Sequence, residues 1–145
     1  MKRFYQRLKN NHLLAITIGL AYLWFGLLKF FPGASPAEVL AKQTIEALTF
    51  GVLPAEVALF LLAAWETAVG VLLLLNCCRQ TAVKFALVHM LFTFTPLFLF
   101  PDLAFSEPPF YFSLVGQYIF KNLILVAALI YLLKTPALAT VVEEE

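Results

Sequence analysis

Apolar residues along this chain gather into four long runs, each bounded by proline, glycine or charge. A helix needs about 20 mainly apolar residues to cross about 30 Å of hydrocarbon, and each run meets that length. The pattern predicts spans over 12–31, 54–75, 81–100 and 114–133. Pro32-Gly33 close the first run. Pro54 opens the second, where a first-turn proline costs little. Pro101 stops the third, and Lys134 and Pro136 mark the end of the fourth. The expected fold is an all-α membrane protein, a single four-transmembrane-helix bundle covering residues 1–145.

Between the first two spans the pattern changes. Ser35-Pro36-Ala37-Glu38 reads as a helix start, with Ser35 as cap, Pro36 in the first turn and Glu38 at the positive end. Val39, Leu40, Ile45 and Leu48 then form an apolar stripe, with Glu38, Lys42 and Glu46 at four-residue spacing on another face. A short amphipathic helix over 36–48, lying on the outer surface or lidding the bundle, is predicted. The connection from Pro101 to Ser113 carries Pro108-Pro109 among Phe105, Phe110, Tyr111 and Phe112, aromatics suited to the lipid–water boundary.

Composition agrees with the membrane reading. Hydrophobic residues make up 62% of the 145 and charged residues 13%, about half the charged share of a soluble domain. A soluble chain this short would expose large apolar patches, whereas a bilayer covers them. No basic stripe suggests nucleic acid. The adjacent Cys77 and Cys78 form no CxxC pair, and no His/Cys spacing suggests a metal site. The first span has a basic leader like that of a signal peptide, but it is long for one, lacks a clear A-x-A site and carries Lys29 and Trp24. It reads as a retained helix.

Charge placement sets the expected orientation. With the N-terminus inside, the cytoplasmic side receives Lys2, Arg3, Arg7, Lys9, Arg79, Lys84 and Lys134, seven of the ten basic residues. Lys42 alone falls in an outer connection, beside the acidic Asp102 and Glu107 of the second one. Both termini are therefore expected in the cytoplasm, the C-terminal one as a solvated acidic tail, Glu143-Glu144-Glu145.

Ionisable groups at membrane depth point to the candidate site, since a mid-span charge costs at least about 2.5–3.5 kcal/mol. At about 1.5 Å per residue, Glu66 lies about 18 Å below Pro54, near the midplane, and Lys121 about 10 Å below Leu114. Lys29 and Glu56 fall within a turn of the outer boundary and would snorkel. Glu66 should face the bundle, with Lys121 as its expected partner across a depth gap of about 8 Å. Gln117 shares the Lys121 face, and Asn122 is turned by about 100° toward a neighbouring helix. Tyr22, Gly26 and Lys29 share one face of the first span, with Trp24 on the next. Thr93 and Thr95 precede Pro96, where a hydroxyl can satisfy freed backbone groups. His89 reads as a hydrogen-bonded packing residue, with proton carriage as the alternative.

Longer motifs carry a resemblance. Leu23-Trp24-Phe25-Gly26-Leu27-Leu28-Lys29-Phe30-Phe31-Pro32-Gly33 with Ser35-Pro36-Ala37-Glu38, then Thr44-Ile45 and Leu48-Thr49-Phe50-Gly51, form the first block. Trp65-Glu66 with Gly70, Thr93-Phe94-Thr95-Pro96-Leu97, and Gly116-Gln117-Tyr118-Ile119-Phe120-Lys121-Asn122-Leu123 complete it. In these stretches the chain resembles the DoxX family of small bacterial membrane proteins. The resemblance implies a four-helix bundle in the bacterial cytoplasmic membrane and ties to quinone-linked thiosulfate oxidation and membrane redox complexes. More distant relatives look like assembly chaperones. The matching positions are Lys29, Glu66, Gln117, Lys121 and Asn122, with Trp24 and Trp65.

Two readings follow. In the first, a quinone or similar apolar ligand sits among Glu66, Lys121, Gln117, Lys29, Trp24, Trp65, Asn122 and Thr93, and a redox partner subunit supplies electrons. In the second, the chain is a non-catalytic assembly or binding protein whose intramembrane ion pair fixes helix packing, with Gly19, Gly26, Gly70 and Gly116 allowing close backbone approach. A small transporter is a weaker third reading, since four spans would need a homo-oligomer to form a pore and no inverted repeat is evident.

Overall fold

The computed structural model describes residues 2–35, 37–107 and 111–135. The elements in chain order are α1 (Lys2–Leu28), α2 (Glu38–Leu48), α3 (Ala55–Leu74), α4 (Arg79–Thr93), α5 (Pro96–Leu99), α6 (Pro101–Ala104), β1 (Phe105–Glu107), β2 (Tyr111–Phe112) and α7 (Leu114–Lys134). Four described stretches are long and apolar enough to cross a membrane: Asn11–Leu28, Ala55–Leu74, Arg79–Leu99 and Leu114–Lys134. The protein is an all-α four-helix membrane bundle. The expected first-turn role of Pro36, the Pro108-Pro109-Phe110 segment and the acidic tail at 143–145 lie outside the described residues.

The third span is interrupted where its proline predicts. Pro96 has no N–H, so the Phe92 carbonyl loses its helical partner. The Thr95 hydroxyl donates to that carbonyl at 2.7 Å, and Thr93 donates to the Met90 carbonyl at 2.7 Å. Past Pro101, α6 leads into a two-residue antiparallel ladder of Phe105 with Phe112 and Glu107 with Tyr111. Ser113 then caps α7, its hydroxyl accepting from the Gly116 N–H.

The amphipathic helix exists, but its start differs from expectation. Ala37 occupies the cap position without a side-chain bond, and Ser35 is buried. The Glu38 carboxylate instead folds back to accept from the Gly33 N–H at 2.7 Å and from Lys42 at 2.9 Å. These bonds hold Glu38 below the usual carboxylate range. Lys42 also reaches Glu56 at the start of α3, at 2.8 Å. Of the expected apolar stripe, Leu40 and Ile45 are half-buried while Val39 and Leu48 stay exposed. α2 packs on α3 and touches α5.

α1 and α3 form the main helix pair, and small residues set their distance. A Cβ at Gly70 would stand 2.5 Å from the Leu23 nitrogen, and one at Gly26 would stand 2.7 Å from the Thr67 nitrogen. Only hydrogen fits there, the close approach expected for Gly19, Gly26 and Gly70. These contacts also fix the register. Gly26 lies opposite Thr67 and Leu23 opposite Gly70, so Leu28 at the end of α1 falls near Trp65. The outer part of α3, Ala55–Ala64, runs on for about 15 Å beyond it. The predicted first span, 12–31, is therefore three residues too long, and Lys29–Phe31 turn tightly instead, their N–H groups donating to Gly26, Leu27 and Leu28.

The core joins α1, α3, α4 and α7 through Ala15, Ile18, Val69, Leu73, Val83 and Leu129. Gly70→Ala is expected to lower the unfolding midpoint in detergent by about 1–3 kcal/mol equivalent, the usual cost of overpacking. Circular dichroism during heating or SDS titration reads this, and an unchanged midpoint would contradict the α1–α3 register.

Candidate functional site

Glu66 sits in the middle of α3 and is only 5% exposed. A carboxylate there needs partners for both oxygens, and two helices supply them. Lys29, 8% exposed, places Nζ 2.6 Å from Oε2 of Glu66 and 3.4 Å from the Phe25 carbonyl. His89 of α4 places Nε2 3.2 Å from Oε1. The other His89 nitrogen, Nδ1, lies 3.2 Å from the Tyr22 hydroxyl, with the two rings edge to face. Tyr22 in turn donates to the Ala86 carbonyl at 3.1 Å. The result is a continuous chain, Tyr22–His89–Glu66–Lys29, across three spans.

The Tyr22 hydroxyl and the two His89 ring nitrogens link the Ala86 carbonyl to Glu66 in one run, and the imidazole tautomer sets which group donates at each contact.

The expected Glu66–Lys121 pair is not formed. Glu66 does lie in the middle of α3, but aligning the spans end to end puts Lys29 at the outer boundary. The glycine contacts shift α1 on α3 and carry Lys29 to the level of Glu66. Lys121 is exposed on α7, its Nζ 5.1 Å from the centre of the Tyr118 ring one turn earlier. Helical side chains lean toward the N-terminus, the predicted outer end of α7, so the stem runs toward the water boundary and needs no buried acid.

Most remaining candidates lie elsewhere. Gln117 is exposed and donates to the Phe112 carbonyl at 3.4 Å, so it lines no cavity with Glu66. Trp24 is 65% exposed. Asn122 is half-buried on α7, and Thr93 serves the α4 break. Trp65 lies next to Glu66 in sequence, but on the outer face, edge to face with Phe85 at 5.1 Å. Of the eight candidates, only Lys29 and Glu66 meet.

Sequence reasoning left out two members of the cluster. Tyr22 was placed on the correct face with Gly26 and Lys29 but given no role. His89 was read first as a packing residue, although it lies ten residues into its span, at nearly the depth of Glu66. Equal depth was the available signal.

His89 also borders an aromatic strip open to the lipid. Phe85, His89 and Phe92 follow one another at four and three residues on α4, with Phe85 and Phe92 exposed and Trp65 beside them. No family model, curated protein or solved structure matches the chain, so the DoxX resemblance rests on the motifs quoted above.

Lys29→Met and Glu66→Gln are each expected to cost about 3–5 kcal/mol by leaving a buried partner uncompensated. The double variant should lose less than the sum. Lys121→Met should stay within about 0.5 kcal/mol of wild type. SDS-induced unfolding measures all four, and an equal loss from Lys121→Met and Lys29→Met would reinstate Lys121 as the partner.

Proposed function

We propose that the chain is a DoxX-like membrane subunit that binds a quinone-class ligand beside His89 and exchanges a proton with it there. The supporting observation is the buried His89 Nε2–Glu66 Oε1 contact at 3.2 Å, within two apolar helices and beside an exposed aromatic strip. Oxidation of a hydroquinone releases two electrons and two protons, so its site needs a base close to the ring oxygen. The His89–Glu66 pair is that base. Lys29 keeps the carboxylate charge balanced, and Tyr22 orients the imidazole. Phe85, Phe92 and Trp65 offer a flat apolar ring its contact surface. The pair takes one proton, and the two electrons and the second proton pass to a redox partner subunit. In this reading both termini face the cytoplasm of a bacterial cell.

A second reading has its own supporting observation. Both Glu66 oxygens are already engaged, and Gln117, Lys121 and Trp24 point away from the cluster. That arrangement suits a non-catalytic assembly or binding protein in which the polar chain only locks α1, α3 and α4 together.

Native mass spectrometry of the detergent-purified protein separates the two. On the first reading the wild type retains an extractable quinone or binds an added ubiquinone or menaquinone. His89→Phe should weaken that binding at least about tenfold, about 1.4 kcal/mol, while Lys121→Met should not. A wild type that carries no quinone and takes up none would favour the structural role.

A further inference from the structure

The turn between α3 and α4 holds a feature that the polar cluster does not use. α3 ends in a Schellman-type cap: the Cys77 N–H donates to the Leu72 carbonyl, and Asn76 takes the left-handed conformation at φ 53°. Cys78 is left-handed as well, at φ 49°, and stands as the N-terminal cap residue of α4. Two left-handed residues in three are an unfavourable backbone for side chains other than asparagine and glycine. They persist here because α3 and α4, packed on each other, fix both ends of the turn.

Both thiols of this turn are exposed, with their sulfur atoms 3.9 Å apart in an S–H···S contact. Sequence spacing offers no metal motif, since adjacent cysteines normally diverge. The separation agrees with a particular coordination geometry. Two thiolates bound at about 2.3 Å to one tetrahedral ion stand about 3.8 Å apart, whereas linear two-coordination needs about 4.6 Å. A disulfide would need the sulfurs at about 2.05 Å, and for adjacent residues that strains the intervening peptide.

We propose that Cys77 and Cys78 form a two-thiolate half-site for a soft divalent cation of the zinc and cadmium type. Soft thiolates select such ions over oxygen-seeking ones. Among the described residues no group of three or more His, Cys, Asp or Glu side chains converges to hold a metal. The remaining coordination positions therefore stay open to water or to donors from another chain. Such a site exchanges its ion readily, unlike a closed structural centre. Binding replaces two thiol protons with one cation, and no electrons move. On the positive-inside orientation the turn faces the reducing side, where the thiols stay free.

Cadmium titration of the full-length protein in detergent tests this through the ultraviolet charge-transfer band of a cadmium–thiolate bond. The expected result is a saturable band, at one cadmium per chain or per two chains. Cys77→Ser and Cys78→Ser should each weaken binding by more than about tenfold, the lower range for losing a mere supporting group. Both side chains are exposed, so the variants should keep the wild-type unfolding midpoint. Absence of the band, or undiminished binding in either single variant, would overturn the proposal.

Discussion

The bundle is organised around one buried negative charge. A carboxylate at the centre of α3 has no water to solvate it, and desolvation at that depth costs several kcal/mol unless each oxygen finds a donor. Glu66 meets that demand with an ammonium from α1 and an imidazole from α4. The demand is geometric as well as energetic. Lys29 must arrive at mid-span, so α1 must end there and its backbone must come close to α3. Gly26 and Gly70 make that approach sterically feasible. Past the end of α1 come the tight turn at 29–31, the folded-back Glu38 and α2, which packs on α3 and reaches its first turn through Lys42 and Glu56.

The spans were legible because hydropathy, proline and charge act locally, and their expected limits differ from the helices by a few residues. Their mutual register was not legible. Depth counted from each span's own end assumes that all ends are level, and the glycine-mediated contact of α1 with α3 breaks that assumption. The place of Glu66 along its helix is legible because α3 begins where its proline says. Lys29 was misplaced because the level of α1 is set by Gly26 and Gly70, a tertiary fact. Lys121 drew attention as a lysine inside an apolar run, yet the lean of helical side chains toward the N-terminus is enough to account for it. Ser35 was a sound local cap by type, but its burial overrode the preference.

The same contrast separates the two ends of the bundle. Toward the α3–α4 turn, α1, α3, α4 and α7 share one apolar core, mostly alanine, valine, isoleucine and leucine. Toward the other end, short pieces do the covering: α2, α5, α6 and the small hairpin. Pro96 interrupts the third span and Pro101 ends it, with threonine hydroxyls occupying the carbonyls left over at the first break. The polar chain from Tyr22 to Lys29 lies at the boundary between these regimes, where regular packing gives way to irregular backbone.

The halfway ending of α1 has an electrical consequence. A membrane potential falls across the whole hydrocarbon thickness, and a full crossing of one charge is worth about 2.3 kcal/mol per 100 mV. His89 and Glu66 sit close to the midpoint of that drop. Half of that drop is on the order of 1 kcal/mol per 100 mV for one charge, so the Lys29–Glu66 pair stands inside the field whichever way the bundle faces.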